Sequence, residues 1–340
     1  MRTKKIYILG IESSCDETAA SVTCNNKVLS NLICNQTIHK SYGGVVPELA
    51  SREHQKNIIP VVNQALREAK ISKEKISAIA YTMGPGLMGS LLVGTSFAKS
   101  FAYGLKIPAI EVNHMQAHIL ANFIADSEKK TPKFPFIGLT ISGGHTQLIK
   151  VKSHFDMKVI GETIDDAIGE AFDKSGKVLG LEYPAGPEID KLSKSGNPNA
   201  FSFAKPNVPD LNFSFSGLKT SILYFVKRKL EKNSNFVEEN LCDLCASIQK
   251  TIIEILIDKL TKAVKLTKIS RIVLGGGVSA NSGIRNALKE FELMNDCEIY
   301  IPNLELTTDN AAMIAVVGYF KYLKKDFATY NSSASAKLKF

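Results

Sequence analysis

The sequence predicts an α/β protein in which one lobe is built twice, with a helical insertion inside the second copy. Three observations carry this. A strand–turn–strand–strand order opens at residue 6 and recurs at residue 136. A buried strand running into a glycine loop and a helix occurs at 78–90 and again at 271–281. In each half a further short strand then leads to a helix whose first turn is polar, at 108–118 and at 298–309. Self-similarity of this kind is the signature of an internal repeat.

In chain order, residues 6–11 (Ile-Tyr-Ile-Leu-Gly-Ile) read as a buried strand. The polar turn 12–18 follows, then strands at 19–24 and 28–37 joined by Asn25-Asn26. Residues 47–69 are periodic as a helix, with Pro47 suited to its first turn and Pro60 predicting a kink. Residues 78–83 form a strand that enters Gly84-Pro85-Gly86-Leu87-Met88-Gly89-Ser90, 108–112 another strand, and 115–125 a helix. The second copy has strands at 136–142, 147–151 and 157–162 around the turn 143–146, then 271–274 with the loop 275–281, and 298–302. The boundaries that follow are a first lobe over 1–135 and a second over 136–340. The helix at about 311–323 is apolar enough to pack back on the first lobe. The insertion spans about 163–267 and is periodic as helix at 166–179, 217–231 and 237–266, with rigid turns at 182–187 and 213–217.

A length of 340 residues with 44% hydrophobic and 22% charged residues is ordinary globular composition and excludes a disordered chain. The net charge of +9 favours a polyanionic partner. Lys205, Lys219, Lys227, Arg228 and Lys229, in or near the insertion, are candidates to line its path, although a solvated helix face has the same pattern. The six cysteines (Cys15, Cys24, Cys34, Cys242, Cys245, Cys297) form no framework, which predicts a reducing compartment. Cys242 and Cys245 make a CxxC inside a helical pattern with no second pair, so they read as one helix face rather than zinc or redox chemistry. Residues 6–11 are too short for a signal peptide's apolar core, and no run approaches the ~20 apolar residues of a membrane span. Cytoplasmic location and no membrane partner are the expectations.

His114 and His118 lie four apart where a strand meets a helix, so both rings point the same way and can share a metal. A buried hydrogen-bonding pair would look the same. The zinc-protease form of the motif needs Glu after the first His, and Met115 stands there. Asp309 opens the last apolar helix, where an aspartate is commonly an N-cap. The repeat changes its meaning, since equivalent strand ends of two related lobes let His114, His118 and Asp309 converge. Two imidazoles and one carboxylate suit iron(II) or zinc. The glycine-containing loops 84–90, 142–146 and 275–281, with the polar turn 12–18, share the logic of backbone N–H groups open to an anion. No GxxxxGK[ST] is present, and no suitable GxGxxG, which excludes a P-loop and a dinucleotide-binding Rossmann unit.

Two such lobes resemble the actin-like ATPase and sugar-kinase superfold, with ribonuclease H-like lobes. Within it the segments Gly10-Ile11-Glu12-Ser13-Ser14-Cys15-Asp16-Glu17-Thr18, Gly84-Pro85-Gly86-Leu87, Asn113-His114-Met115-Gln116-Ala117-His118, Ser142-Gly143-Gly144-His145-Thr146, Gly275-Gly276-Gly277-Val278-Ser279-Ala280-Asn281 and Thr308-Asp309-Asn310-Ala311-Ala312-Met313 resemble the TsaD family, in family order over residues 10–313. The resemblance implies a tRNA N6-adenosine threonylcarbamoyltransferase that moves threonylcarbamoyl from its AMP anhydride to N6 of adenosine 37, in tRNAs reading codons that begin with A. It implies one divalent ion on His114, His118 and Asp309, iron(II) before zinc, and substrate contacts at Thr140, Ile141, Ser142, Gly143, Gly144, Asp173, Gly186, Asp190 and Asn281. It also implies tRNA, threonylcarbamoyl-AMP, a small paralogous (TsaB-like) protein and a TsaE-like ATPase as partners. Glu12 and His145 are the candidates for a general base. Gln116, Ala117 and Ala185 depart from the family pattern of Glu, Gly and Gly; the two alanines add a Cβ beside the metal turn and a substrate loop. The competing classes are a metalloprotease and a kinase of the same superfold.

Overall fold

The computed structural model describes residues 5–126 and 129–340. They fall into two compact units, Met1–Pro132 with Pro302–Phe340, and Lys133–Ile301. Residues 302–340 therefore belong with the first unit, although they follow the second in sequence. Among the described residues no helix is long and apolar enough to cross a membrane.

The first unit opens with β1 (Tyr7–Glu12), β2 (Glu17–Cys24), β3 (Lys27–Asn35) and α1 (Pro47–Ala69), then β4 (Ala78–Gly84), α2 (Met88–Leu105), β5 (Ala109–Asn113) and α3 (His114–Leu120). The second holds β6 (Phe136–Ile141), β7 (Thr146–Ser153), β8 (Asp156–Glu162), α4 (Ile168–Val178), α5 (Gly186–Ser193), α6 (Ser216–Leu230), α7 (Phe236–Glu239) and α8 (Leu241–Thr267). It continues with β9 (Arg271–Gly275), α9 (Ser282–Asn295) and β10 (Glu298–Tyr300), and α10 (Ala311–Leu323) then returns to the first unit. The sheets have the orders β3-β2-β1-β4-β5 and β8-β7-β6-β9-β10, so the repeat is exact in topology. In both, the first strand is central: antiparallel to the second, parallel to the fourth.

Three expectations need correction. Residues 182–187 are not only a turn: Gly186 and Pro187 start α5, a place where proline's missing N–H costs nothing. The long helix expected at 237–266 is two, α7 and α8, parted at Asn240. The helix expected to 125 ends at Leu120, and a 3-10 turn, Ala121–Phe123, follows. Helix α1 runs through Pro60.

The period-2 alternation of β1 decides what faces what. Leu9 and Ile11 join Ile58, Val62, Ala98 and Ala102 of α1 and α2 in one cluster. Ile8, Gly10 and Glu12 point the other way, toward α10. A Cβ on Gly10 would strike the Ala311 carbonyl and lie 2.8 Å from the Ala315 nitrogen, and Gly318 sits as tightly against Ala80. Helix α10 can lie this close only because both surfaces are stripped of side chain at the crossing. Its residues from Ala311 to Gly318 are all buried.

Gly10→Ala overpacks this crossing and should cost roughly 1–3 kcal/mol. Chemical denaturation checks it; an unchanged midpoint would mean that the helix can shift without loss.

Candidate metal centre and loops of the second unit

Three chain segments of the first unit meet at the C-terminal end of β1. Helix α3 begins at His114 because Asn113 caps it: its Oδ1 accepts from the Met115 and Gln116 nitrogens at 2.9 and 3.2 Å. The cap sets His114 at the first position and His118 one turn on, both buried. Helix α10 begins just after Asp309, and its cap is Asn310, whose Oδ1 accepts from the Met313 nitrogen at 3.0 Å. Asn31 of β3 accepts a second amide, that of Ala312. Capping, the ordinary role of an aspartate here, is thus done by its neighbour, and the Asp309 carboxylate is left to face the histidines.

The Asp309 Oδ1 lies 3.1 Å from His118 Nε2 and 3.4 Å from His114 Nε2, and the two Nε2 atoms are 3.2 Å apart. A cation with ligand bonds of about 2.1 Å near tetrahedral or octahedral angles separates its ligand atoms by roughly 3.0–3.4 Å. The three atoms therefore already stand at the spacing of one coordination shell. His114 Nδ1 faces the Glu12 carboxylate at 2.9 Å and its N–H donates there, which turns Nε2 toward the Asp309 oxygen and His118. Among the described residues these three form the one group of three or more His, Cys, Asp or Glu side chains spaced to hold a metal. Cys242 and Cys245 lie in the first turns of α8 with no further ligand, and burial pushes the Cys245 thiol up to about 12.

Glu12 is fully buried, with every contact spoken for. Its Oε1 accepts from the Ser14 nitrogen at 2.5 Å, and its Oε2 from the Thr82 hydroxyl at 2.7 Å besides His114. Burial would raise its carboxyl, but the charge and hydrogen bond of His114 outweigh that and hold it low. Burial likewise opposes ionisation of His114, and the two carboxylates on either side override it and raise the imidazole well above its usual value. Asp309 is held far below the carboxylate range against its burial by the two histidines. The loop carrying Ser14 and Cys15 is pinned from α1 by His54, whose Nε2–H donates to the Cys15 carbonyl at 3.0 Å while Nδ1 accepts from Thr18 at 2.8 Å. Met115, where a zinc protease would carry its base, is buried.

In the second unit, the residues expected to bind substrate lie on the end of β6 and the β6–β7 turn, within α4 and α5, and at the start of α9. Thr140 and Ile141 are buried at the end of β6, and Thr140 Oγ1 has no hydrogen-bond partner. Ser142 accepts at Oγ from the His145 nitrogen and donates its own N–H to the His145 carbonyl at 2.8 Å, so the turn is closed. Gly143 and Gly144 are exposed, with open space where a Cβ would be, as close approach of a ligand requires. The start of α4 abuts this turn through the Gly169 nitrogen on the Ser142 carbonyl. Asp173 of α4 accepts from the Ala185 nitrogen at 2.8 Å, tethering the start of α5 and Gly186. Burial raises its carboxyl despite that bond. Ala185, where the resemblance leads one to expect glycine, is buried with its Cβ against Gly176 of α4, in the core of the second unit. Asp190 accepts from the Ser282 nitrogen at 3.0 Å, the Ser282 hydroxyl at 2.9 Å and the Gly283 nitrogen at 3.3 Å. Asn281 caps α9 through the Ile284 nitrogen and donates to Gln249. Both residues thus serve the start of α9, a role that spacing in sequence does not show.

Two features escaped sequence reasoning. Asp165 gathers the 213–217 turn, accepting from the hydroxyls of Ser214 and Ser216 and the nitrogens of Phe215 and Ser216. The loop at 84–90 is glycine-rich for packing: Gly84 lies against the Ser335 carbonyl and Gly86 against Ser14. Of the basic residues, Lys205 pairs with Glu254 at 2.5 Å and Lys229 lies over Phe225 and Phe236. Lys227 and Arg228 stand exposed beside Tyr224, with no ion pair among the described residues.

Comparison with known proteins identifies the family and the fold. A family model described as tRNA N6-adenosine threonylcarbamoyltransferase, TsaD, matches residues 27–316. The protein of that name from Christiangramia forsetii is 63% identical over 340 residues, all of both chains, and that from Riemerella anatipestifer 58% identical over 98% of each. Among solved structures, full-length HypF in a phosphate- and nucleotide-bound form superimposes with a TM-score of 0.62 at 14% identity, over 95% of this chain and 47% of HypF. ROK hexokinase from Thermus thermophilus gives 0.51 at 13% identity, over 94% and 100%. These two share the duplicated fold.

Two outcomes follow from the geometry. Asn310→Ala should cost about 1 kcal/mol through the lost cap, whereas Asp309→Ala should cost nothing by that route; urea melts of the two variants separate cap from ligand. The bonds to Asp165 hold its carboxyl below the ordinary value even though burial acts to raise it. Its stabilisation is therefore present above the unfolded-state value of about 3.9 and is lost as pH falls through the lower folded value. Asp165 is exposed and its bonds are screened by solvent, so at pH 7 Asp165→Ala should cost roughly 0.5–1 kcal/mol, a difference that shrinks in acid melts once the carboxyl is protonated.

Proposed function

Since the chain belongs to the TsaD family of tRNA N6-adenosine threonylcarbamoyltransferases, we propose that it moves threonylcarbamoyl from threonylcarbamoyl-AMP to N6 of adenosine 37, in tRNAs reading codons that begin with A, and releases AMP. The observation that carries the metal part of this reading is the 3.1–3.4 Å triangle of His114 Nε2, His118 Nε2 and Asp309 Oδ1. Those residues would hold one divalent ion, iron(II) before zinc, whose positive charge would polarise the acyl donor. Hard magnesium does not select two imidazoles, which argues against a kinase reading.

The remaining work falls to the chain's own groups. Glu12 acts through His114 as a positioning residue: it keeps the Nδ1 proton in place and so presents Nε2, whose own proton a bound ion would displace. With its oxygens already engaged, it is poorly placed to take a substrate proton, which leaves His145 as the candidate base. The exposed Gly143-Gly144 backbone and the Ser142 turn suit the acyl-phosphate oxygens. Thr140 Oγ1, Asp173 and the start of α5 at Gly186 suit the nucleoside part of the donor, with Ile141, Asp190 and Asn281 shaping the walls. The surplus of positive charge, Lys227 and Arg228 included, suits the phosphates of tRNA. We take the small paralogous protein and the ATPase as further requirements for turnover in the cytoplasm.

The test combines purified protein, both protein partners, threonylcarbamoyl-AMP and unmodified tRNA, with nucleosides read by mass spectrometry. Wild type should form the modified adenosine and His114→Ala should fall by at least about 100-fold, with loss of the bound metal. Equal modification by the variant would remove the metal from the mechanism, and none by either would reject the transferase reading.

A further inference from the structure

Residues 324–340 have no regular secondary structure, yet they are tied to the first unit at points that converge on one side chain. The Ala328 nitrogen donates to the Ala109 carbonyl at 2.9 Å, and the Ser335 nitrogen to the Met83 carbonyl at 2.9 Å. Lys99 Nζ reaches the carbonyls of Tyr330 and Ser332, and Ala334 is buried. Beyond these anchors the segment offers two carbonyls inward. That of Ala336 accepts from the Gly86 nitrogen at 3.3 Å, and that of Lys339 accepts from Asn113 Nδ2 at 3.1 Å.

Both carbonyls lead to His114. Asn113 is the cap of α3, and its amide is held at both ends: Oδ1 by the first turn of the helix, Nδ2 by Lys339. The other route runs through the 84–87 loop. Gly84 has a φ of 153° and lies so close to the Ser335 carbonyl that any side chain there would displace it. Leu87 donates its N–H to the Ser14 carbonyl at 2.7 Å, and Ser14 Oγ lies 3.3 Å from His114 Nδ1. The imidazole is thus braced from its own backbone by one route and from its Nδ1 edge by the other.

We propose that residues 335–340 are the outer brace of the metal centre, acting through main-chain carbonyls on Asn113 and the Gly84–Gly86 loop to fix the position of His114. The inference rests on the reading that His114, His118 and Asp309 bind a divalent cation. Its physical basis is that a ligand's affinity depends on how narrowly its ring is held, and removing outer-shell partners typically costs 10–100-fold. Because the contact of Lys339 is main-chain and its side chain is exposed, that side chain is free to vary without effect.

Cobalt(II) binding to the purified chain, followed by its visible absorption, is the test. Wild type should bind one equivalent. A variant lacking residues 335–340 should bind at least about 10-fold more weakly, with unchanged helix content by circular dichroism. Asn113→Ser keeps a capping oxygen but cannot reach Lys339, and should show the same weakening; it also serves if the shortened chain does not fold. Lys339→Ala keeps the carbonyl and should bind as wild type does. Wild-type affinity in Asn113→Ser would overturn the brace, as would weakening by Lys339→Ala alone. Failure of wild type itself to bind one equivalent would overturn the metal reading beneath it.

Discussion

The close crossing of α10 over β1 is the constraint on which the rest of the first unit depends. A helix normally rides about 10 Å from a sheet, separated by two layers of side chain. Here Gly10 removes one layer, and Ala311, Ala315 and Gly318 thin the other. The start of α10 is thereby brought down beside the end of β1, which carries Glu12 on the same face. Asp309, one residue before the cap, is delivered to the histidines by this packing, although nearly 200 residues of chain separate it from them.

The centre shows how burial and charge are balanced. Three ionisable groups, two buried and one half-buried, would each be costly alone. Glu12, His114 and Asp309 form an alternating row in which the imidazole stands between two carboxylates, and each group shifts in the direction that keeps its charge despite burial. The division of labour between Asp309 and Asn310 is part of the same balance. If the aspartate capped the helix, its oxygens would be spent on amides and the row would lose one end.

The second unit uses the same topology for another purpose. Its β6–β7 turn corresponds to the β1–β2 turn, but the space beside Gly143 and Gly144 is open, whereas the first unit's turn is held by Glu12 and His54. The insertion that follows supplies carboxylates that hold loops: Asp165 on the 213–217 turn, Asp173 on the start of α5, Asp190 on the start of α9. Asp173 and Asp190, which the family resemblance offers as substrate contacts, thus keep neighbouring helix ends in register.

Much of this was legible in the amino-acid sequence. The alternation and turn residues place every strand, since the period of an element is a local property, and the repeated order identifies two copies of one lobe. The helix spacing of His114 and His118 shows that they share a face. What local pattern cannot carry is anything that depends on which surfaces meet. Asp309 reads as the cap of α10 until the helix is seen to be capped by Asn310. The helix α5 was hidden by its glycine and prolines, because a short helix started by proline resembles a turn. Gly84 and Gly86 read as an anion loop and proved to be places where other backbone passes close. The return of the helix at 311–323 to the first unit was readable from its apolar composition, but the hold of the Lys339 carbonyl on the Asn113 amide exists only in the folded chain, since a main-chain acceptor leaves no mark in residue identity.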